Sequence, residues 1–222
     1  GMGGLGVLAA DTRRVAERLD VPMVVVTPFY PAELHQHIES GTQTETIVEK
    51  RPEDFGFTRL FDVAIRTSRR PNTTLSVYEK TCGSTRFVCI NEPGFGMLYD
   101  GELSGDHRLY QNVAGGFGGY KALKTMNICP AVIQLNETAT IFAAVARLDE
   151  LVSQGAMNLH EAIVYVRKST LYTNHTLLQA AESEFSYAQF KKFVYPNIES
   201  RAVKKWLTSL FRSGTLRSST LA

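Results

Sequence analysis

The chain has 222 residues, of which 44% are hydrophobic and 21% charged, enough apolar material for one sizeable domain and too much for global disorder. A formal net charge of +2 excludes nucleic acid as a bulk electrostatic partner, and no apolar run reaches the roughly 20 residues of a membrane span. Three cysteines, Cys82, Cys89 and Cys129, form no Cys-x-x-Cys pair and leave one odd thiol, which suits a reducing compartment and gives the expectation of a soluble, cytoplasmic protein.

The chain opens on Gly1-Met2-Gly3-Gly4-Leu5-Gly6, a glycine cluster running into a predicted helix from Leu8 to Leu19. Glycines let backbone approach a ligand closely, and the helix behind them offers unpaired N–H groups to a phosphate or another oxyanion. A tight turn without ligand is the competing reading. Such a loop ordinarily follows a β-strand, and no residues precede it here, so the expectation is part of a larger fold. Met23 to Thr27 is a short β-branched run with the signature of a buried strand. Ala32 to Asp54 is polar and reads as a loop or excursion. Phe57 to Arg66, Leu75 to Lys80 and Arg86 to Asn91 alternate with period two, and the turn chemistry at Cys82-Gly83-Ser84 makes the last two a hairpin or meander. Tyr99 to Gly105 reads as a loop.

Asp106 to Met126 carries a helical pattern interrupted by Gly115-Gly116-Phe117-Gly118-Gly119. Each helical glycine costs about 1 kcal/mol against alanine, so this helix either packs very closely there or breaks. Ala131 to Leu135 is a second short strand, leading through Asn136-Glu137-Thr138 into a helix with Ile141, Phe142, Val145, Leu148 and Val152 on one face and a stop at Gly155. Asn158-Leu159-His160-Glu161 reads as a capping box opening the next helix, with Leu159, Ala162, Ile163 and Val166 as its stripe. Ser169 to Thr173 is a third strand, ending at Asn174-His175-Thr176. The remainder reads as two helical pieces broken at Pro196, the last with Val203, Trp206, Leu207, Leu210 and Phe211 on its apolar face, and a polar, frayed tail from Ser213.

Alternating strands and helices predict an α/β fold with a parallel sheet and an antiparallel, mainly β insertion at about 32–105. In such a sheet the glycine loop, Asn136-Glu137-Thr138 and Asn174-His175-Thr176 share the carboxyl edge, where ligands bind. His175 stands out because it follows a strand, although a histidine hydrogen-bonded at a turn fits the same pattern. Glu137 has the plainer alternative of stabilising a helix dipole. His35 and His37 with Glu33 and Glu39 would hold a metal only in a special geometry, and no metal is expected. Asn72-Thr73-Thr74, Asn136-Glu137-Thr138 and Asn174-His175-Thr176 match glycosylation acceptors, a pattern common by chance.

Taken together the three junctions resemble the α-glucan (glycogen, starch, maltodextrin) phosphorylases. Gly3-Gly4-Leu5-Gly6-Val7-Leu8-Ala9 with Leu19-Asp20-Val21-Pro22 resembles that family's glycine loop, helix and following strand. Val132-Ile133-Gln134-Leu135-Asn136-Glu137-Thr138 looks like its second junction, and Tyr172-Thr173-Asn174-His175-Thr176-Leu177 is similar to its histidine segment. The resemblance implies a two-lobed glycosyltransferase of the GT-B type, with residues 1–222 as a single, partial, Rossmann-like N-terminal lobe and the C-terminal cofactor lobe absent. It implies cleavage of α-1,4-glucan ends by inorganic phosphate to give glucose 1-phosphate, with pyridoxal phosphate held by a lysine of the missing lobe and none bound to this chain alone.

By the same resemblance His175 is the catalytic-site histidine, bonded to the hydroxymethyl group of the glucosyl unit. Gly3, Gly4, Leu5, Asn136, Glu137 and Asn174 are substrate-binding. The implied partners are an α-glucan or sugar phosphate and the missing lobe, with no nucleic acid or membrane, and a homo-oligomer is compatible with the sequence. The chain alone is expected to be inactive. Two departures stand against the family pattern: Ala139 where a histidine is usual, and a short loop from Tyr99 to Asp106. Two other readings are carried: the N-lobe of a nucleotide-sugar glucan synthase, and a non-catalytic carbohydrate- or phosphate-binding or assembly domain.

Overall fold

The computed structural model describes residues 3–67, 72–98, 105–174 and 183–221. It is a mixed α/β structure in two compact units, one of Gly1–Val63 and Thr74–Ser104, the other of Ala64–Thr73 and Gly105–Ala222.

The first unit begins with α1 (Gly3–Arg18), followed by β1 (Val24–Phe29). The helix therefore starts five residues before the expected Leu8, and Gly3 and Gly4 form its first turn instead of a loop ahead of it. Beyond β1, the polar stretch expected to be a loop is an antiparallel hairpin of β2 (Ala32–Glu39) and β3 (Thr42–Glu49), paired along its whole length from Ala32↔Glu49 to Glu39↔Thr42. Its sequence hides this because almost every side chain is exposed, so no buried face imposes alternation. A four-stranded sheet follows in the order β1, β6 (Thr85–Asn91), β5 (Thr73–Cys82), β4 (Thr58–Ile65). β6 lies parallel to β1 and antiparallel to β5, and as a central strand it buries three consecutive residues, Val88, Cys89 and Ile90. With Leu75, Val77 and Phe95 these residues form the core of the unit.

In the second unit, α2 (Gly105–Val113) and α3 (Gly119–Thr125) are joined by a five-residue π-turn, Ala114–Gly118. Both halves of the glycine expectation are met: the α-helix is interrupted, and the packing is very close. A Cβ on Gly116 would lie 2.6 Å from the Phe142 Cβ and 2.7 Å from its carbonyl carbon. Phe142 opens α4 (Phe142–Ser153), and its ring meets Phe117, Phe185 and Phe190 at centroid distances of 6.4, 5.8 and 6.1 Å. This aromatic cluster, with Leu109, Val113, Val145, Leu148, Val203 and Leu207, is the core; each fully buried large side chain is worth about 1.5–3 kcal/mol.

β7 (Ile133–Asn136) lies parallel to β8 (Thr170–Thr173), connected through α4 and α5 (Leu159–Lys168). The expected stop at Gly155 is present with φ of 70°, and the expected capping box at Asn158 is complete, the Asn158 amide oxygen accepting from Glu161 N and the Glu161 carboxylate from Asn158 N. Arg147, 4% exposed, donates to the carbonyls of Pro130 and Ser169, just ahead of β7 and β8, and its guanidinium lies 5.1 Å from the Tyr165 ring centroid. It thereby ties the amino ends of the two strands together.

Two expectations are corrected. A single parallel sheet through all three strands is not formed among the described residues: β1 takes β6 as its parallel partner, and β7 and β8 form a sheet of their own. The run at Arg86–Asn91 outcompetes the later strands for β1 because β6 offers a ladder six residues long with Val88, Cys89 and Ile90 buried in it. Nor is the C-terminal tail frayed, although the two helical pieces expected either side of Pro196 are present. β9 (Glu184–Ser186) pairs antiparallel with β10 (Thr215–Arg217), flanking a short helical segment through α6 (Tyr187–Gln189) to Asn197 and then α7 (Arg201–Ser209). Leu216 and Ser218 are each 1% exposed, so burial of an apolar anchor holds the supposed tail in place.

Asp149 carries a further cap. Its carboxylate accepts from the backbone N–H of Glu199 and of Ser200 at 2.8 and 2.9 Å, at the entry to α7. No helix among the described residues is long and apolar enough to cross a membrane.

Candidate functional site

The parallel register of β7 and β8 sets Asn136 opposite Thr173, so both strands end together at one edge. The chain then crosses between them: Glu137 N donates to the Thr173 carbonyl at 3.0 Å, and the Gln134 side-chain amide donates to the Thr173 hydroxyl at 3.3 Å. Asn136, Glu137 and Asn174 are thus brought to one edge, as the sequence predicts. Asn174 is exposed. His175 lies outside the described residues.

Glu137 has φ of 63° and ψ of 174°, a conformation that essentially only glycine adopts without strain, at a cost of order 1–3 kcal/mol for any other residue. Surrounding contacts hold it there. The Thr140 hydroxyl donates to both the Asn136 and the Glu137 carbonyls, at 3.2 and 3.0 Å. Thr138, buried in the 3-10 turn Thr138–Thr140, hydrogen-bonds through its hydroxyl to the buried Ser218 hydroxyl at 3.2 Å. Ala139 sits between these two anchors. The amide oxygen of Asn136 is buried and has no hydrogen-bond partner among the described residues. A buried acceptor left unpaired costs about 1–3 kcal/mol, so it marks a place where a donor is missing.

The edge therefore presents a buried acceptor on Asn136, a carboxylate on Glu137 and a polar Asn174, a set suited to a ligand rich in hydroxyl donors. Glu137 makes no side-chain cap hydrogen bond to the turn it precedes. Thr138, Thr140 and Ser218 are the residues that sequence reading passed over. The threonines carry a local signal, since hydroxyl side chains at turns bond nearby backbone, whereas Ser218 carries none.

The other predicted residues, Gly3, Gly4 and Leu5, occupy the first turn of α1 in the first unit, where a helix leaves its N–H groups without intrahelical partners. The histidine pair on β2 does not make a metal centre: the His35 and His37 rings are 6.4 Å apart and Glu33 is engaged by Lys50, which holds its carboxyl below the usual range. Among the described residues no group of three or more His, Cys, Asp or Glu side chains is placed to hold a metal ion. Lys121 is the lysine whose pKa burial lowers, with Arg66 as a second cause, yet its ammonium is spent on the Ala64 carbonyl at 2.9 Å and it lies in α3, on none of the strand-end junctions.

The maltodextrin phosphorylase of Thermococcus litoralis is 29% identical to this chain over 240 residues, covering 99% of the chain and 28% of the relative. The glycogen phosphorylase of Mycobacterium tuberculosis is 26% identical over 214 residues, covering 86% of the chain and 25% of the relative. That of Aquifex aeolicus is 26% identical over 209 residues, covering 83% and 29%. The chain thus spans between a quarter and three tenths of the length of these curated relatives. No protein-family model matches it.

Proposed function

We propose that this chain, a relative of the glucan phosphorylases, supplies part of the sugar-binding lobe of a GT-B glycosyltransferase that transfers a glucosyl unit from an α-1,4-glucan to inorganic phosphate. The observation that carries this reading is the β7–β8 edge: an unpaired buried acceptor on Asn136 beside a strained Glu137, in the stretch where the sequence resembles the family's second junction. In this reading Asn136 and Glu137 accept hydrogen bonds from sugar hydroxyls, and Asn174 lines the same edge. His175 bonds the hydroxymethyl group of the glucosyl unit at the cleaved position. Gly3, Gly4 and Leu5 offer the N–H groups of the first turn of α1 to phosphate or sugar. The stretch at about 32–105 is an insertion in that lobe.

The family's cofactor would supply a proton-relaying phosphate. The residues of this chain do not fit it: Lys121, the lysine whose pKa burial lowers, has its ammonium bonded to the Ala64 carbonyl. No step of the proposal passes through the cofactor. Binding, orientation and exclusion of water are what these residues contribute, and the chain by itself is inactive.

The test is glucose 1-phosphate release from maltodextrin and phosphate. The purified 222-residue chain gives none, whereas the same residues within a full-length phosphorylase-sized protein give product that falls at least tenfold on Asn136→Ala. Product from the chain alone, or an unchanged rate for the variant, overturns the reading. Ala139, in place of the family's usual histidine, favours a second reading as a carbohydrate binder without catalysis. That reading is supported if maltodextrin binds and no product forms in either context.

A further inference from the structure

The first unit contains a parallel strand pair of its own, β1 with β6, and its carboxyl edge repeats the chemistry of the β7–β8 edge. β6 ends in Asn91-Glu92 and β7 in Asn136-Glu137. Four buried side-chain atoms lack a hydrogen-bond partner among the described residues, and two of them are the amide oxygens of Asn91 and Asn136. The same dipeptide thus closes both parallel pairs with the same polar atom buried and unsatisfied. Asn91 stands opposite Phe29 of β1, and Tyr30, the next residue, packs its ring 6.2 Å from that of the buried Phe95.

The turn after β6 is built around Glu92, which is 7% exposed. Its carbonyl accepts from Phe95 N at 2.9 Å, closing Pro93–Phe95 into one turn of 3-10 helix. A Cβ on Gly94 would fall 2.7 Å from a Glu92 carboxylate oxygen, so the absence of a side chain there lets the carboxylate fold in beneath the turn. The corner therefore combines the buried Asn91 acceptor with a carboxylate drawn inward. A phosphate is disfavoured beside that carboxylate. A hard cation takes about six oxygen ligands, more than one carboxylate and one amide supply. A neutral ligand bearing hydroxyl donors matches the unsatisfied Asn91 oxygen.

We infer that the Asn91–Glu92 corner at the carboxyl end of β6 is a second sugar-hydroxyl site, taking a neutral glucosyl unit through the buried Asn91 amide oxygen. The inference rests on the reading of Asn136–Glu137 as a sugar edge and extends it to the other parallel pair. It gives each unit a sugar-hydroxyl site of its own.

The experiment is an amide NMR titration of the 222-residue chain with maltotriose, with inorganic phosphate and calcium as control ligands, on wild type, Asn91→Leu and Asn136→Leu. Maltotriose is expected to shift the amides of Asn91 to Phe95 saturably, and Asn91→Leu to weaken that response at least tenfold while Asn136→Leu leaves it unchanged. If Asn91→Leu does not give a folded spectrum, Asn91→Ala makes the same comparison with a smaller side chain. The inference is overturned if millimolar maltotriose leaves Asn91 to Phe95 unmoved, if the Asn91 variants respond like wild type, or if only phosphate or calcium moves these amides. Loss of the response at Asn136 and Glu137 alone bears on the proposed function and leaves the second site standing.

Discussion

Replacing Gly116 by alanine sets two known effects against each other. In an open helix the change would gain about 1 kcal/mol, because alanine loses less backbone freedom on folding. Here the new methyl group would meet the Phe142 Cβ at 2.6 Å, its carbonyl carbon at 2.7 Å and the Ala143 nitrogen at 2.8 Å. Two of these atoms are backbone of α4, and the third is the Cβ of Phe142, fixed by that backbone and carrying a ring held among Phe117, Phe185 and Phe190. None can swing aside, so α4 must retreat by several tenths of an ångström and loosen the whole aromatic cluster. Overpacking of this kind costs about 1–3 kcal/mol, and the need to move backbone puts this site in the upper part of that range, so a net loss of roughly 1–2 kcal/mol is expected after the helical gain. For a chain of this size each kcal/mol is about 2–4 °C in Tm, so the midpoint should fall by roughly 2–8 °C. Gly105→Ala is the control, since its Cβ would meet only the Gln189 side-chain nitrogen at an ordinary 3.6 Å. Thermal unfolding followed by circular dichroism reads both. A Gly116→Ala protein as stable as wild type would show that the close approach of the π-turn to α4 is not a constraint on the fold.

Glu137→Gly should behave in the opposite sense. It relieves a backbone strain of about 1–3 kcal/mol and adds roughly 0.5–1 kcal/mol of unfolded-state freedom, so stability should hold or rise while maltotriose binding at this edge is lost. A destabilised variant that still binds would contradict both halves. Asp149 gives a pH signature. Burial, the larger effect, raises its pKa above the ordinary 3.8 despite the two backbone N–H bonds that oppose it. An acid raised on folding contributes stability that is complete below its unfolded value and is lost as pH climbs through the folded value. Urea midpoints should therefore fall as pH rises through the acid range in wild type, a fall that Asp149→Asn removes. Parallel pH profiles for the two proteins would refute the assignment.

What the sequence made legible follows from what is local. The stripe of Ile141, Phe142, Val145 and Leu148, the Asn158–Glu161 box and the stop at Gly155 are written within a few residues of themselves, and each is found in place. The strand ends at Asn136 and Thr173 were legible for the same reason. The β2–β3 hairpin was not, because its side chains face water on both sides and nothing forces an alternating pattern. β9 and β10 were not, because three-residue strands are too short to carry a period and their pairing joins residues some 30 positions apart. The strain at Glu137 was invisible for a deeper reason: glutamate has no preference for that conformation, and only contacts made after folding hold it there.

The hydrogen bond between Thr138 and Ser218 closes a loop of 80 residues. The anchor of the β7 edge on that side is therefore delivered by nearly the last part of the chain, after the helices between have packed. Contacts of such sequence separation form late, because the entropy of closing the loop must be met before they contribute. The junction that bears the candidate chemistry should accordingly be among the last places to acquire its native geometry. Hydrogen exchange during refolding would find Glu137 protected only once β10 has docked.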